Sequence, residues 1–201
     1  MAITTRDYDN YEDYLEHQKE KTGCPKRRER LNAAFEDRKN YFLSRFKTYF
    51  KEEFLAENKN VKVVCLGSRM GEEVAALQEI GFEDCIGTDL IARDPYVIVD
   101  DFHNMSFESD TVGIFYTNSL DHSCKPKQMF EEVYRCLKPG GIFIIDFFPG
   151  HMGRYEACKI DSIEDLIPAM PIEMKFVQGR PTPEFDLAGQ SAHEIVFKKS
   201  E

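Results

Sequence analysis

The passage from Val61 to Gly81 constrains this chain more than any other. Val61-Lys62-Val63-Val64-Cys65-Leu66 is a short β-branched run that stops at Gly67, the pattern of a strand buried on both faces. Gly71 follows, two glutamates open the next turn, and Val74, Ala75 and Leu77 recur at helical spacing until Gly81 closes the segment. A buried strand that feeds straight into a helix commits the chain to a parallel sheet with helices on its faces.

The rest of the chain repeats that alternation. Strands are expected at 85–88, 96–99 and 112–116, then a helix from about Lys127 to Leu137. Lys138-Pro139-Gly140-Gly141 reads as a tight turn into the most apolar strand, Ile142 to Phe148. A short helix at 161–166 precedes two strands, 172–177 and 194–198, which have no helix between them and should pair antiparallel at one edge. Ahead of all this, Tyr8 to Lys21 reads as a polar helix. Thr22-Gly23-Cys24-Pro25 breaks the chain, and Phe35, Phe42, Phe46, Tyr49, Phe50 and Phe54 form a helical stripe suited to core packing. The expectation is a three-layer α/β domain, residues 59–201, behind an N-terminal helical extension, residues 1–58. At 201 residues there is chain enough for one sizeable core.

Charge and cysteine usage narrow the function. Residues 1–60 carry a net charge of +1 and residues 61–201 a net charge of −11. So acidic a body repels a phosphate backbone, which argues against a nucleic-acid footprint. The one basic cluster, Lys26, Arg27, Arg28 and Arg30, reads either as a solvated turn or as a greeting for an anionic substrate. The six cysteines include no C-x-x-C pair, which suits buried free thiols in a reducing compartment and no metal centre. No stretch approaches a membrane span, and the start MAITTRDYDNYEDY has no apolar run behind a basic flank, so a cytoplasmic protein is expected.

In open α/β sheets ligands bind beyond the carboxyl ends of the strands. The loop Gly67-Ser68-Arg69-Met70-Gly71 is therefore the first candidate site, with free helix amides that favour an anion. Asp89 stands 22 residues past Gly67 at the end of the second strand, where a carboxylate can accept two ribose hydroxyls. Asp101-Phe102 follows the third strand, suitably placed for a purine, and Asn118 follows the fourth.

Taken in order, VVCLGSRMGEEVAAL, IGTDL, VDDFHNMSF, YTNSLDH and EEVYRCLKPGGIFIIDF resemble the successive motifs of class I S-adenosylmethionine-dependent methyltransferases, nearest the small-molecule type with a methyltransferase-11-like core. The resemblance covers about residues 61–148. It implies a Rossmann-like, seven-stranded, mostly parallel sheet whose last strand lies antiparallel between the fifth and sixth. It further implies that Gly67, Ser68, Arg69 and Gly71 hold the methionine end of S-adenosyl-L-methionine. Asp89 would bind the ribose and Leu90 the adenine, Asp101 and Phe102 would meet the adenine edge, and Asn118 would line the floor beneath the sulfonium. Two residues depart from the family pattern: Cys65 stands where an acid is usual, and Arg69 where a glycine is usual. Arg69 is expected either to pair with the cofactor carboxylate or to be solvated or bridged to Glu72 or Glu73.

A hydroxyl acceptor needs a base, and His122 and His151 lie in loops on the expected ligand face, with His103 a further option. Tyr14, Gln18 and Lys21 share one face of the first helix and could form a lid. The expected activity is methyl transfer to a small-molecule acceptor, with neither nucleic acid nor membrane as partner; the pattern fixes no oligomeric state. The rival readings are a catalytically silent partner module and a nicotinamide-dependent oxidoreductase, the latter disfavoured by the missing glycine.

Overall fold

The computed structural model describes residues 3–187 and 190–201. Its strands are β1 (Thr4–Thr5), β2 (Val63–Leu66), β3 (Cys85–Asp89), β4 (Val97–Val99), β5 (Val112–Thr117), β6 (Leu137–Phe147), β7 (Cys158–Lys159), β8 (Met174–Leu187) and β9 (Gln190–Lys199). Its helices are α1 (Tyr11–Gly23), α2 (Pro25–Ala33), α3 (Phe35–Tyr49), α4 (Glu52–Asn58), α5 (Glu72–Ile80), α6 (Pro126–Cys136) and α7 (Ile163–Leu166).

Seven strands form one sheet in the order β4-β3-β2-β5-β6-β9-β8. The first five are parallel, and β9 runs antiparallel between β6 and β8. That is the Rossmann-like order expected, with β9 as the inserted last strand. Every residue of β2 is buried, as a strand covered on both faces requires. One apolar cluster joins Phe42, Phe46 and Phe50 to Val74, Leu77 and Tyr116 on one face of the sheet. On the other, Met129, Phe130 and Val133 of α6 pack with Phe115 and Phe143.

Some expectations needed correction. The Phe stripe does not form one helix: α3 ends at Phe50, so the apolar positions pass along two helices, α3 and α4. The expected turn at Lys138–Gly141 lies inside β6, where the register with β5 slips between Val112 and Ile114. A side chain at Gly141 would stand 2.9 Å from the carbonyl oxygen of Gly113. Gly141 therefore permits close strand approach, while Gly140 takes φ 74° in a bulge whose residues 138–141 stand opposite Gly113 alone.

A buried ion cluster fastens α3 to the sheet. Arg45 donates to both carboxylate oxygens of Asp146 (2.6 and 3.2 Å) and to Glu194 (2.6 Å), and Tyr116 donates to Asp146 at 2.8 Å. The side chains of Arg45, Asp146 and Glu194 are 1–2% exposed. No helix of the described residues is long and apolar enough to cross a membrane, and all six cysteines are free.

Candidate functional site

The loop after β2 turns through three left-handed residues: Gly67 (φ 69°), Arg69 (φ 45°) and Gly71 (φ 83°). A Cβ on Gly71 would lie 2.3 Å from the Tyr96 Cβ, so glycine is required by space as well as by dihedral. Arg69 accepts a conformation uncommon for a side chain with a Cβ. Its backbone N–H donates to Asp89 Oδ2 at 3.0 Å, while Ile91 N–H reaches Oδ1 at 3.3 Å. Burial raises the Asp89 carboxyl above its ordinary value, with those backbone donors opposing it. Cys65, where the family pattern has an acid, is wholly buried and its thiol is pushed well up by burial.

Gly67, Ser68, Arg69, Asp89, Leu90, Asp101, Phe102 and Asn118 all line one cavity of about 460 Å³ at the carboxyl ends of the strands. Gly71 is set behind it, against Tyr96. That volume lies in the roughly 300–1,000 Å³ range of small-molecule pockets.

α1 forms the opposite wall. Asn10 caps it by accepting from the Asp13 N–H. Tyr14, Gln18 and Thr22 make its buried face, with Tyr14 only 2% exposed. Tyr14 donates to the His122 carbonyl (3.0 Å), Gln18 to the Tyr155 carbonyl (2.9 Å), and Lys21 meets His122 Nε2. Tyr14, Gln18 and Lys21 all line the cavity. Tyr11, which the sequence reading passed over, donates to Asp101 Oδ2 at 2.5 Å, and the His103 N–H donates to Oδ1 at 2.9 Å. Burial alone would raise the Asp101 carboxyl; the His103 and Tyr11 hydrogen bonds outweigh it and hold it below its ordinary value. Arg6 secures the start of the chain to the carbonyls of Gly153 and Glu156, and β1 pairs with β7.

The two candidate bases part company. His122 lines the cavity. Its Nδ1 lies 2.9 Å from the Tyr155 carbonyl, which can only accept, so the proton sits on Nδ1 and the Nε2 lone pair faces the Lys21 ammonium. Burial lowers its pKa, and Lys21 adds to that. Burial likewise pushes Lys21 down to about 8. His151 is outside the cavity lining: the chain turns back at Gly150, whose N–H bonds the Ile160 carbonyl, and His151 faces Glu156 at 3.7 Å. His103 is fully buried between Tyr11 and Ser123 and serves as a brace. Asp121, His122 and Glu156 offer ligand atoms within 4.8 Å of one another, and the Lys21 ammonium already sits against His122 in that group.

Arg27, from the basic cluster, and Glu72 and Glu73 also face the cavity, as do Arg38 and Asp100, which sequence reasoning missed. Arg38 pairs with Glu72 at 2.7 Å. Glu73 is buried, and that burial, reinforced by Glu72, pushes it up to about 8. Arg69 Nε and Arg27 Nε are buried with no hydrogen-bond partner, at a cost of about 1–3 kcal/mol each unless a ligand supplies the acceptor. An adenosyl amino acid would fit this donor set, with its carboxylate available to Arg69 and its ribose hydroxyls to Asp89.

Residues 64–145 match the model of the Methyltransf_11 family, the methyltransferase domain. No curated protein sequence matches the chain. Among solved structures, a Burkholderia thailandensis 1,6-didemethyltoxoflavin-N1-methyltransferase with S-adenosylhomocysteine bound is similar over 99% of this chain and 95% of its own, at 14% identity and TM-score 0.62. A Thermotoga maritima S-adenosylmethionine-dependent methyltransferase, described as a possible histamine N-methyltransferase, aligns over 90% and 98% at 16% identity and TM-score 0.62. A geranyl diphosphate C-methyltransferase from Streptomyces coelicolor aligns over 73% and 76% at 15% identity and TM-score 0.57.

Proposed function

On the premise that this chain carries a class I S-adenosylmethionine-dependent methyltransferase domain, we propose that it transfers a methyl group to the oxygen of a small hydroxylated metabolite or sugar. S-adenosylmethionine is the cofactor of that domain. The reading is carried by one cavity that has Asp89 and Asp101 at one end and a neutral histidine at the other. In this reading residues 59–201 form the cofactor-binding domain, and residues 1–58 are the extension that closes over it.

Gly67 to Arg69 hold the methionine end, with the Arg69 guanidinium on the carboxylate. Asp89 keeps lone pairs for the ribose hydroxyls beyond those given to the Arg69 and Ile91 amides. Leu90 and Phe102 flank the adenine, Asp101 accepts from its amino edge, and Asn118 forms the floor. When bound, the cofactor supplies a methyl on a positively charged sulfur with a neutral thioether as leaving group. What remains for the protein is alignment and one proton. His122 Nε2 takes the acceptor's hydroxyl proton as the oxygen bonds to carbon, once the hydroxyl has displaced Lys21 from that nitrogen. The Tyr155 carbonyl then holds Nδ1–H and fixes the ring.

Thermal-shift titration tests the cofactor side. S-adenosylhomocysteine at one hundred times its Kd should add about 2.7 kcal/mol of stability, or roughly 5–11 °C in Tm for a chain of this size. NAD should add nothing. A shift with NAD and none with S-adenosylhomocysteine refutes the assignment. Transfer of labelled methyl to hydroxylated compounds, but not to matched amines or thiols, tests the acceptor.

A further inference from the structure

Lys26, Arg28 and Arg30 of α2 are exposed, and Arg27 alone of that run turns inward. It lines the cavity, its guanidinium lies 5.4 Å from the Tyr155 ring, and its Nε is buried without an acceptor. Arg69 is the other lining residue with such a nitrogen among those described. The remaining charges around the cavity are already answered. Arg38 has Glu72, and Lys21 faces His122 with Asp121 and Glu156 nearby. Glu73 is buried, and that burial, reinforced by Glu72, raises its carboxyl and weakens it as a counter-ion. Asp89, Asp100 and Asp101 are held at the far end by the amides of Arg69 and Ile91, by Ser106, and by Tyr11 and His103.

The cofactor cannot balance what is left. It brings one carboxylate, one ammonium and one sulfonium, so the cavity holds more positive charge with it than without it. One carboxylate answers Arg69, and Arg27 stays unmatched. Tyr155 links this residue to the acceptor half, because its carbonyl fixes His122 while its ring receives Arg27. We propose that Arg27 anchors an anionic group of the methyl acceptor, a carboxylate or a phosphate, so that the substrate is a small hydroxylated acid or phosphate ester. This rests on the methyltransferase reading above.

Calorimetry and thermal shift on the whole chain test it in two stages. First, S-adenosylhomocysteine is titrated into wild type, Arg27→Gln and Arg69→Gln. Affinity should change less than threefold in Arg27→Gln and fall at least tenfold in Arg69→Gln. Second, protein saturated with S-adenosylhomocysteine is exposed to acetate, to inorganic phosphate, and to chloride at equal ionic strength. Acetate or phosphate should raise the wild-type Tm by at least 2 °C over chloride, leave Arg27→Gln unmoved and retain part of the effect in Arg27→Lys. A response to acetate alone assigns a carboxylate, and one to phosphate alone a phosphate ester. The proposal is overturned if Arg27→Gln weakens S-adenosylhomocysteine as much as Arg69→Gln does, which would make both arginines cofactor ligands. It is equally overturned if neither anion separates wild type from Arg27→Gln. A wild type that binds no S-adenosylhomocysteine at the first stage removes the methyltransferase reading itself, and this proposal with it.

Discussion

Replacing Arg45 by methionine should destabilise the protein heavily and in a pH-dependent way. The guanidinium is 2% exposed and donates to Asp146 and Glu194, each 1% exposed. Methionine keeps much of the apolar stem but removes every donor. Breaking a buried pair by deleting one partner typically costs 3–5 kcal/mol, because the other charge stays buried. For a chain of this length that is a fall of roughly 6–20 °C in Tm. Asp146 supplies the pH signature. Its carboxyl already lies above the ordinary value, burial being the largest cause, with Arg45 the main influence pulling it down. Without Arg45 it rises further, so the folded variant holds its proton more tightly than the unfolded chain does. Such a group stabilises below the unfolded pKa of about 3.9, and that contribution is lost as pH rises towards the raised folded value. The deficit should therefore be largest near pH 8 and shrink by at least ~1.4 kcal/mol, one pKa unit, by pH 5. Urea unfolding of both proteins at the two pH values reads it directly. A deficit below 1 kcal/mol, or one equal at both pH values, refutes the argument.

Asp89→Asn should retain the Arg69 amide bond while losing acceptance from one ribose hydroxyl, at about 1.5–3 kcal/mol for a charged hydrogen bond. Calorimetry should then show S-adenosylhomocysteine bound roughly 10–150-fold more weakly, and an unchanged Kd would remove Asp89 from the site. Since burial and Lys21 both lower His122, the acid limb of kcat/KM should lie below pH 6.5. Lys21→Met should move that limb to higher pH, and a static limb would show that His122 is not the base. Gly71→Ala must place a Cβ at φ 83° and 2.3 Å from Tyr96. Left-handed strain and overpacking together predict a loss of about 2–5 kcal/mol in urea unfolding, and a loss under 1 kcal/mol would mean that the loop relaxes freely.

Buried strands were legible because they carry little but apolar residues, as in β2 and β5. At Lys138–Gly141 the glycines signal a local turn, which the left-handed Gly140 makes; that it is a bulge inside β6 and not a loop ahead of it depends on the partner strand β5. His122 and His151 looked alike in sequence, since each follows a strand; the reversal at Gly150 that carries His151 away depends on a hydrogen bond to Ile160 ten residues on. The basic run offered four side chains for an anion, and nothing in its spacing singled out Arg27 as the one that turns inward while the others are exposed. Tyr11 lies in a polar segment whose composition gives no signal of burial. Its contact with Asp101 spans 90 residues, a pairing that local periodicity does not encode.

α1 fastens both halves of the chamber with one rigid piece. Tyr11 grips the carboxylate at the nucleoside end, and Tyr14 and Lys21 grip His122 at the other. If α1 is the cover proposed above, those contacts at its two ends must open together before either solute can leave. Release of spent cofactor and of methylated product is then expected to share the opening of that one helix.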